Sequence, residues 1–311
     1  MSTHRLDLKL TFQCNNRCLF CVQGDKRSYE PDRSHQQAKD ELCERRQHCD
    51  GVVFTGGEVT LRPDLPELVA YAKELGYRTI QIQSNGRRMS YLPYLDALLD
   101  AGANEIAPAL HGATSLTHDT LTRAKGSFVQ TVRGIEHARQ RGAKVILNTV
   151  LVRQNMAELV AMVRLFGKLG VSQSQFAFVH ALGTAEQHFA DVVPRYQELE
   201  APLREALLLG EKLGIRMMTE AVPFCLLRGL ERFAAEQHMP ETAILDGGRV
   251  IECYAEYRWE EGKARGPQCK SCSFASVCEG PWREYPAAFG WDEFVPRTDP
   301  PPSFLRERLA A

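Results

Sequence analysis

Residues 6–21 read LDLKLTFQCNNRCLFC. The first part, residues 6–12, is a short β-type stretch. It runs directly into Cys14, Cys18 and Cys21, a C-x3-C-x2-C run. Three thiolates packed that closely can wrap one small inorganic cluster. They can hold three irons of a [4Fe–4S] cube and leave the fourth open. An open metal position is a chemical site, as it is in catalytic zinc enzymes.

Outward from this run the chain keeps a β-α rhythm. Candidate strands cover residues 6–12, 51–54, 79–83, 105–110, 144–150 and 175–179. Amphipathic stretches lie between them, at 64–75, 91–101, 128–140 and 156–169. Gly76, Gly102, Gly142 and Gly170 each follow such a stretch, where a left-handed helix cap belongs. Six β-α units imply parallel strands and right-handed crossovers, most simply a partial (β/α)6 TIM-like barrel. Functional residues of such a barrel sit at strand C-termini. The cysteine run, Thr55-Gly56-Gly57-Glu58, Ser84-Asn85-Gly86, His111-Gly112, Asn148 and His180 all fall there.

After a long helical segment at 195–213 and a further short strand at 215–219, the character changes. Residues 225–296 carry Cys225, Cys253, Cys269, Cys272 and Cys278, with Trp259, Trp282, Trp291 and Phe294. This is the pattern of a small, loop-rich module stapled by metal. The expected division is a barrel over 1–214, a cluster-binding module over 215–296 and an extended tail over 297–311.

The whole chain has 311 residues, 44% of them hydrophobic, and a formal net charge of −1. That is ample for a core and gives no basic excess for nucleic acid. The N-terminus has no apolar signal region and no stretch is long enough for a membrane span. The reading is a cytoplasmic protein with no membrane or nucleic-acid partner. Ten cysteines in that setting point to metal ligation rather than disulfides. Cys43 and Cys49 read as ordinary thiols.

These features resemble the radical S-adenosylmethionine (SAM) superfamily. The triplet has that family's spacing, and Gly56-Gly57-Glu58 lies where its GGE motif lies. Residues 118–155 share its texture. The set from Gly248 to Cys253, followed by C-x2-C-x5-C at Cys269, Cys272 and Cys278, resembles the SPASM/twitch extension. The resemblance implies a cluster on Cys14, Cys18 and Cys21 that chelates SAM at its open iron. One electron, from a flavodoxin- or ferredoxin-type donor, then gives a 5′-deoxyadenosyl radical that removes a substrate hydrogen atom.

By the same resemblance Phe20 lies against the adenine. Gly56 and Gly57 admit the methionine moiety, and Glu58 accepts from its ammonium group. Ser84, Asn85, Arg123 and Asn148 match positions that contact the SAM ribose or carboxylate. Ala109 stands where many relatives have a serine. His111 and His180 face the expected cavity and read as hydrogen-bonding histidines more readily than catalytic ones. A second, auxiliary [4Fe–4S] cluster takes Cys269, Cys272 and Cys278, with Cys225 or Cys253 as fourth ligand and Cys225 preferred. The Trp282 position, a cysteine in full SPASM domains, limits the module to one cluster. A zinc site is the alternative for this set. The leftover Cys253 would then be a hydrogen donor to a substrate radical, making the reaction an epimerisation.

The substrate is not written in the motifs. SPASM/twitch relatives modify ribosomal peptides or dehydrogenate and epimerise aminoglycoside sugars. The expectation puts peptide modification first and a small-molecule dehydrogenase or epimerase second. The ending LRERLAA, without Gly-Gly, argues against a molybdopterin-precursor cyclase. A non-catalytic electron-transfer protein is the reading from another class.

Overall fold

The structure, a computed structural model, describes residues 4–305. The described residues build a nine-stranded sheet. β1 (His4–Thr11), β2 (Gly51–Gly56), β3 (Thr79–Ser84), β4 (Glu105–Pro108), β5 (Lys144–Leu151), β6 (Gln173–Phe178) and β7 (Arg216–Glu220) lie side by side in chain order, all parallel. Between them run α1 (His35–Arg45), α2 (Leu65–Glu74), α3 (Leu92–Ala101), α4 (Ser115–Thr122), α5 (Ser127–Gln140), α6 (Leu159–Lys168) and α7 (Tyr196–Lys212). The arrangement is the partial α/β barrel that the rhythm implies. α6 starts three residues later than its apolar period, because residues 153–158 first wind as a 3-10 turn capped by Asn155.

Alternation along each strand decides which face meets the helices. Leu6, Leu8 and Leu10 of β1 are fully buried and share a core with Ala38 and Leu42 of α1. Phe176 of β6 meets Phe166 of α6 with ring centroids 6.2 Å apart. Each such side chain contributes about 1.5–3 kcal/mol by burial. The intervening residues therefore line the concave face: Arg5, Asp7 and Lys9 on β1, Asn148 on β5, Gln175 and Ala177 on β6, Met218 and Glu220 on β7.

Two strands were not foreseen. β8 (Glu241–Asp246) pairs in parallel with β1, from His4 opposite Glu241 to Leu8 opposite Leu245. β9 (Arg249–Ile251) returns antiparallel to it. The turn is Asp246-Gly247-Gly248-Arg249, and Gly247 has φ 60°. An Asp-Gly turn between apolar runs is a strong hairpin signal. The expected boundary at residue 215 thus runs through a continuous sheet, with β7 at one side and β8–β9 at the other.

The chain after β9 crosses the open side between β8 and β7. Here Arg258 and Glu279 make a bidentate pair at 2.8 and 3.1 Å. Lys263 Nζ lies 2.7 Å from Glu236 and 2.9 Å from Glu279. Arg258, Lys263 and Glu279 are all at least 95% buried. Such a network costs desolvation and holds geometry rather than adding stability. The expected extended tail begins fixed: Arg297 is buried, paired with Glu231 and stacked over Phe274. Residues 306–311 lie outside the described range.

Candidate active site

The cysteine loop leaves β1 at the C-terminal rim and is pinned from two sides. Arg17 N and Leu19 N donate to Thr122 O and Leu121 O at 2.9 and 3.0 Å, at the end of α4. Cys21 O accepts from Thr184 N at 2.9 Å. Asn16 N donates to Cys14 Sγ at 3.3 Å. Burial raises the Cys14 and Cys18 thiols above their usual range, and the neighbouring sulfurs add to the rise. A cationic iron behind each sulfur would reverse that cost, since a coordinating thiol is deprotonated outright.

The Gly56-Gly57-Glu58 turn is built against this loop. A Cβ on Gly56 would stand 2.2 Å from Thr11 O, and one on Gly57 2.3 Å from Gln13 O. Gly57 N and Glu58 N donate to Thr11 O and Gln13 O at 2.6 and 2.7 Å. The space that demands glycine is thus filled by the chain's own backbone. This replaces the expected reason, room for the methionine moiety. Glu58 is fully buried. Its Oε1 accepts from Thr60 N, Thr60 Oγ1 and Ser84 Oγ at 3.1, 2.5 and 2.7 Å; among the described residues its Oε2 accepts only from Asn85 N, at 2.6 Å. With one donor against the three on Oε1, Oε2 is the less occupied oxygen and retains capacity for an ammonium group.

Ser84 is spent inside this network, donating to Glu58 and accepting from Gly86 N at 2.9 Å. Asn85 instead bridges to the cysteine loop, donating to Asn15 Oδ1 at 2.6 Å. Arg87 donates to Asn15 O and Asn16 Oδ1 at 2.6 and 2.8 Å. It went unnoticed in the sequence, where it is one more arginine after a turn. Arg123 is exposed, with a left-handed φ of 51° and no side-chain bond among the described residues. Asp119, also unforeseen, sets that bend: it accepts from Gly126 N, Phe128 N and Ser127 Oγ at 2.6, 2.7 and 2.9 Å. Burial opposes its charge, but these bonds hold its carboxyl below the usual range. Asn148 faces the lumen beside Ala109, and its Oδ1 is buried without a partner.

The C-terminal cysteines divide. Cys225, Cys269, Cys272 and Cys278 line one cavity, walled by Phe224, Phe274, Trp291 and Phe294. Burial and the other three sulfurs push Cys225 up to about 12, and burial pushes Cys278 up to about 11. Backbone amides aim at these sulfurs, as Arg297 N does at Cys272 Sγ, 3.3 Å away. Amide bonds to cluster sulfurs are a lever on reduction potential. Among the described residues no three His, Cys, Asp or Glu groups converge on a single-ion site. Zinc would need thiolates roughly 3.8 Å apart, whereas a cubane puts a separate iron behind each and spreads them wider.

Cys253 is elsewhere. It follows β9, whose Ile251 pairs with Ile244, level with Asp7 of β1. That puts Cys253 toward the N-terminal end of the strands, roughly 20 Å along the strand axis from the cysteine-loop rim. A hydrogen donor must stand at the radical's end of the lumen, so this placement does not suit the expected role. His180 stacks on Trp282 with centroids 3.9 Å apart, and its Nε2 lies 3.4 Å from Glu284.

A parallel partial barrel with three rim cysteines beside a Gly-Gly-Glu turn defines a SAM-cleaving radical enzyme. The family profile described as Radical SAM superfamily matches residues 8–166, and the chain belongs to that superfamily. A probable GTP 3′,8-cyclase of Saccharolobus islandicus is 32% identical over 258 residues, covering 81% of this chain and 74% of that protein. One from Metallosphaera sedula is 30% identical over 255 residues, covering 81% and 72%. These names run against the expectation drawn from the ending LRERLAA, most of which lies outside the described residues. In fold the chain resembles SuiB of Streptococcus suis bound to S-adenosylmethionine, with TM-score 0.66 at 15% identity over 94% of this chain and 76% of that one. It also resembles anSMEcpe with bound AdoMet and Cp18Cys peptide, with TM-score 0.64 at 14% identity over 95% and 93%. Among the described residues no helix is long and apolar enough to cross a membrane.

Proposed function

We propose that the chain carries two [4Fe–4S] clusters and oxidises a C–H bond that adjoins a hydroxyl or amino group. When bound, SAM and the two clusters supply a hydrogen-atom abstractor and a one-electron acceptor. The observation that carries this reading is Cys225 beside Cys269, Cys272 and Cys278. Four thiolates cap four irons and leave none for substrate, so the second site suits electron transfer rather than substrate ligation.

A two-electron oxidation also releases the hydroxyl or amino proton, and the chain's own residues must take it. Glu220 stands on the concave face at the C-terminal end of β7, where Gln175 donates to its Oε2 at 2.6 Å. Burial, then Glu236, raises its pKa, so that its carboxylate takes up a proton more readily than an exposed one. Asn148 Oδ1, one strand from Gln175, adds an unpartnered acceptor. These acceptors suit a hydroxyl- or amino-bearing group, whether on a peptide side chain or an amino sugar. Peptide comes first, because SuiB and anSMEcpe have been solved with peptides bound.

A nucleotide cyclase is the second reading, favoured by the identity to the probable cyclases. Against it, Lys9 and Lys26 share Asp246 at 2.7 Å, Lys144 holds Glu105 at 2.5 Å, and Arg258 and Lys263 hold Glu279. A triphosphate would compete with carboxylates already in place.

Anaerobic reconstitution tests the reading. Wild type should hold about eight irons, Cys225→Ala about four, and Cys253→Ala about eight. Eight irons in Cys225→Ala would sink the four-cysteine site. Peptide, amino-sugar and GTP arms, each scored by stimulated 5′-deoxyadenosine formation, then separate the substrate classes.

A further inference from the structure

His111 follows the end of β4 and is 95% buried. Its Nδ1 accepts from Val150 N at 3.3 Å. A ring nitrogen that accepts a backbone N–H carries no proton, so the hydrogen sits on Nε2. His118 is held in the same tautomer, because its Nδ1 accepts from His111 N at 3.1 Å. The two rings lie nearly parallel, 5.9 Å apart.

The two Nε2 atoms differ. That of His118 is sealed inside the protein without a partner. That of His111 bonds no described residue either but is not fully sealed, on a residue 5% exposed. Its ring stands edge-to-face with Phe20, centroids 4.7 Å apart at 70°. Phe20 immediately precedes Cys21. The protein itself leaves this donor unmet, on a ring that stands beside an aromatic wall next to a cluster cysteine. An apolar wall with one fixed N–H donor is a slot for a flat ring that carries acceptor nitrogens.

We infer that His111 Nε2–H donates to a ring nitrogen of the adenine of SAM, with Phe20 as the apolar wall of the same slot. The inference rests on the SAM-dependent reading above. Burial holds His111 near a pKa of about 3, with His118 adding to the depression. The donor therefore keeps one proton across the physiological range and does not switch.

The test uses anaerobically reconstituted enzyme and measures binding by titration calorimetry. The probes are S-adenosylhomocysteine and its 1-deaza, 3-deaza and 7-deaza analogues. Each analogue lacks one acceptor nitrogen of the purine. Wild type should bind one of the three about tenfold more weakly than the parent, as loss of a bond worth roughly 1.4 kcal/mol requires. His111→Phe should bind the parent about tenfold more weakly and lose the discrimination. His111→Gln, which keeps an N–H donor, should recover part of both. Equal binding of all three analogues by wild type would overturn the assignment without any variant. So would discrimination that survives in His111→Phe. Failure of wild type to bind S-adenosylhomocysteine at all would instead overturn the SAM-dependent reading itself.

Discussion

Gly57→Ala should uncouple the Gly-Gly-Glu turn from the cysteine loop. The new Cβ would stand 2.3 Å from Gln13 O and 2.6 Å from Phe12 O. Carbon and oxygen settle no closer than about 3.3 Å, so the two backbones must part by roughly 1 Å. The bonds from Gly57 N to Thr11 O and from Glu58 N to Gln13 O, at 2.6 and 2.7 Å, would then stretch past useful length. Two buried backbone bonds at about 1 kcal/mol each, plus residual crowding, give a loss of about 2–4 kcal/mol. Gly248→Ala is the control, because its Cβ would meet nothing within 4 Å and its φ is not in the left-handed region. That change should stay within about 0.5 kcal/mol of wild type. Urea unfolding of the cluster-free proteins reads both. Since Gln13 adjoins Cys14, the Gly57 variant should also retain less iron at the first cluster. A Gly57→Ala midpoint equal to that of Gly248→Ala would refute the argument that backbone crowding dictates this glycine.

Arg258→Met should cost about 3–5 kcal/mol in urea unfolding, because it leaves Glu279 buried beside Glu236 with Lys263 as the remaining cation. Adding Glu279→Gln should restore part of that loss. Burial depresses His111 to about 3 and His118 to about 4, below the unfolded value near 6.5. Folded-state values below the unfolded one mean that unfolding takes up protons as pH falls below about 6. Stability should therefore be full above pH 6.5 and fall by about 2.7 kcal/mol per pH unit between about pH 6 and 4 from these two groups. His118→Leu should halve that part of the slope in cluster-free protein, and an unchanged slope would assign it to other groups.

The strands through β7 were legible because each pairs with a neighbour close in sequence and carries its own apolar period. β8 was not, although ETAILDGGRVI holds an Asp-Gly hairpin turn. Cysteine spacing drew attention to Gly248 as part of a motif, and the same glycine closes a hairpin. Pairing with β1, more than 230 residues away, leaves no local trace. The cluster cysteines are readable because sulfur spacing is chemistry. The supporting contacts of Arg87 and Asp119 are not, since the guanidinium and carboxylate meet backbone and side-chain atoms brought in by the fold. Cys253 misled for the same reason: a position in a count of thiols says nothing about which end of the strands it occupies.

The pairing of β1 with β8 has a consequence for synthesis. β1 has both an early partner, β2, made soon after it, and a late one, β8. At about 5–20 residues per second, some 240 residues take on the order of 12–48 s to emerge. During that time one edge of β1 exposes unpaired N–H and C=O groups, and the cysteine loop hangs from its end. Long-range parallel pairing of this kind is slow and aggregation-exposed. A fragment cut after the seven parallel strands would keep that edge open permanently. Such a fragment should precipitate where the full chain stays dispersed.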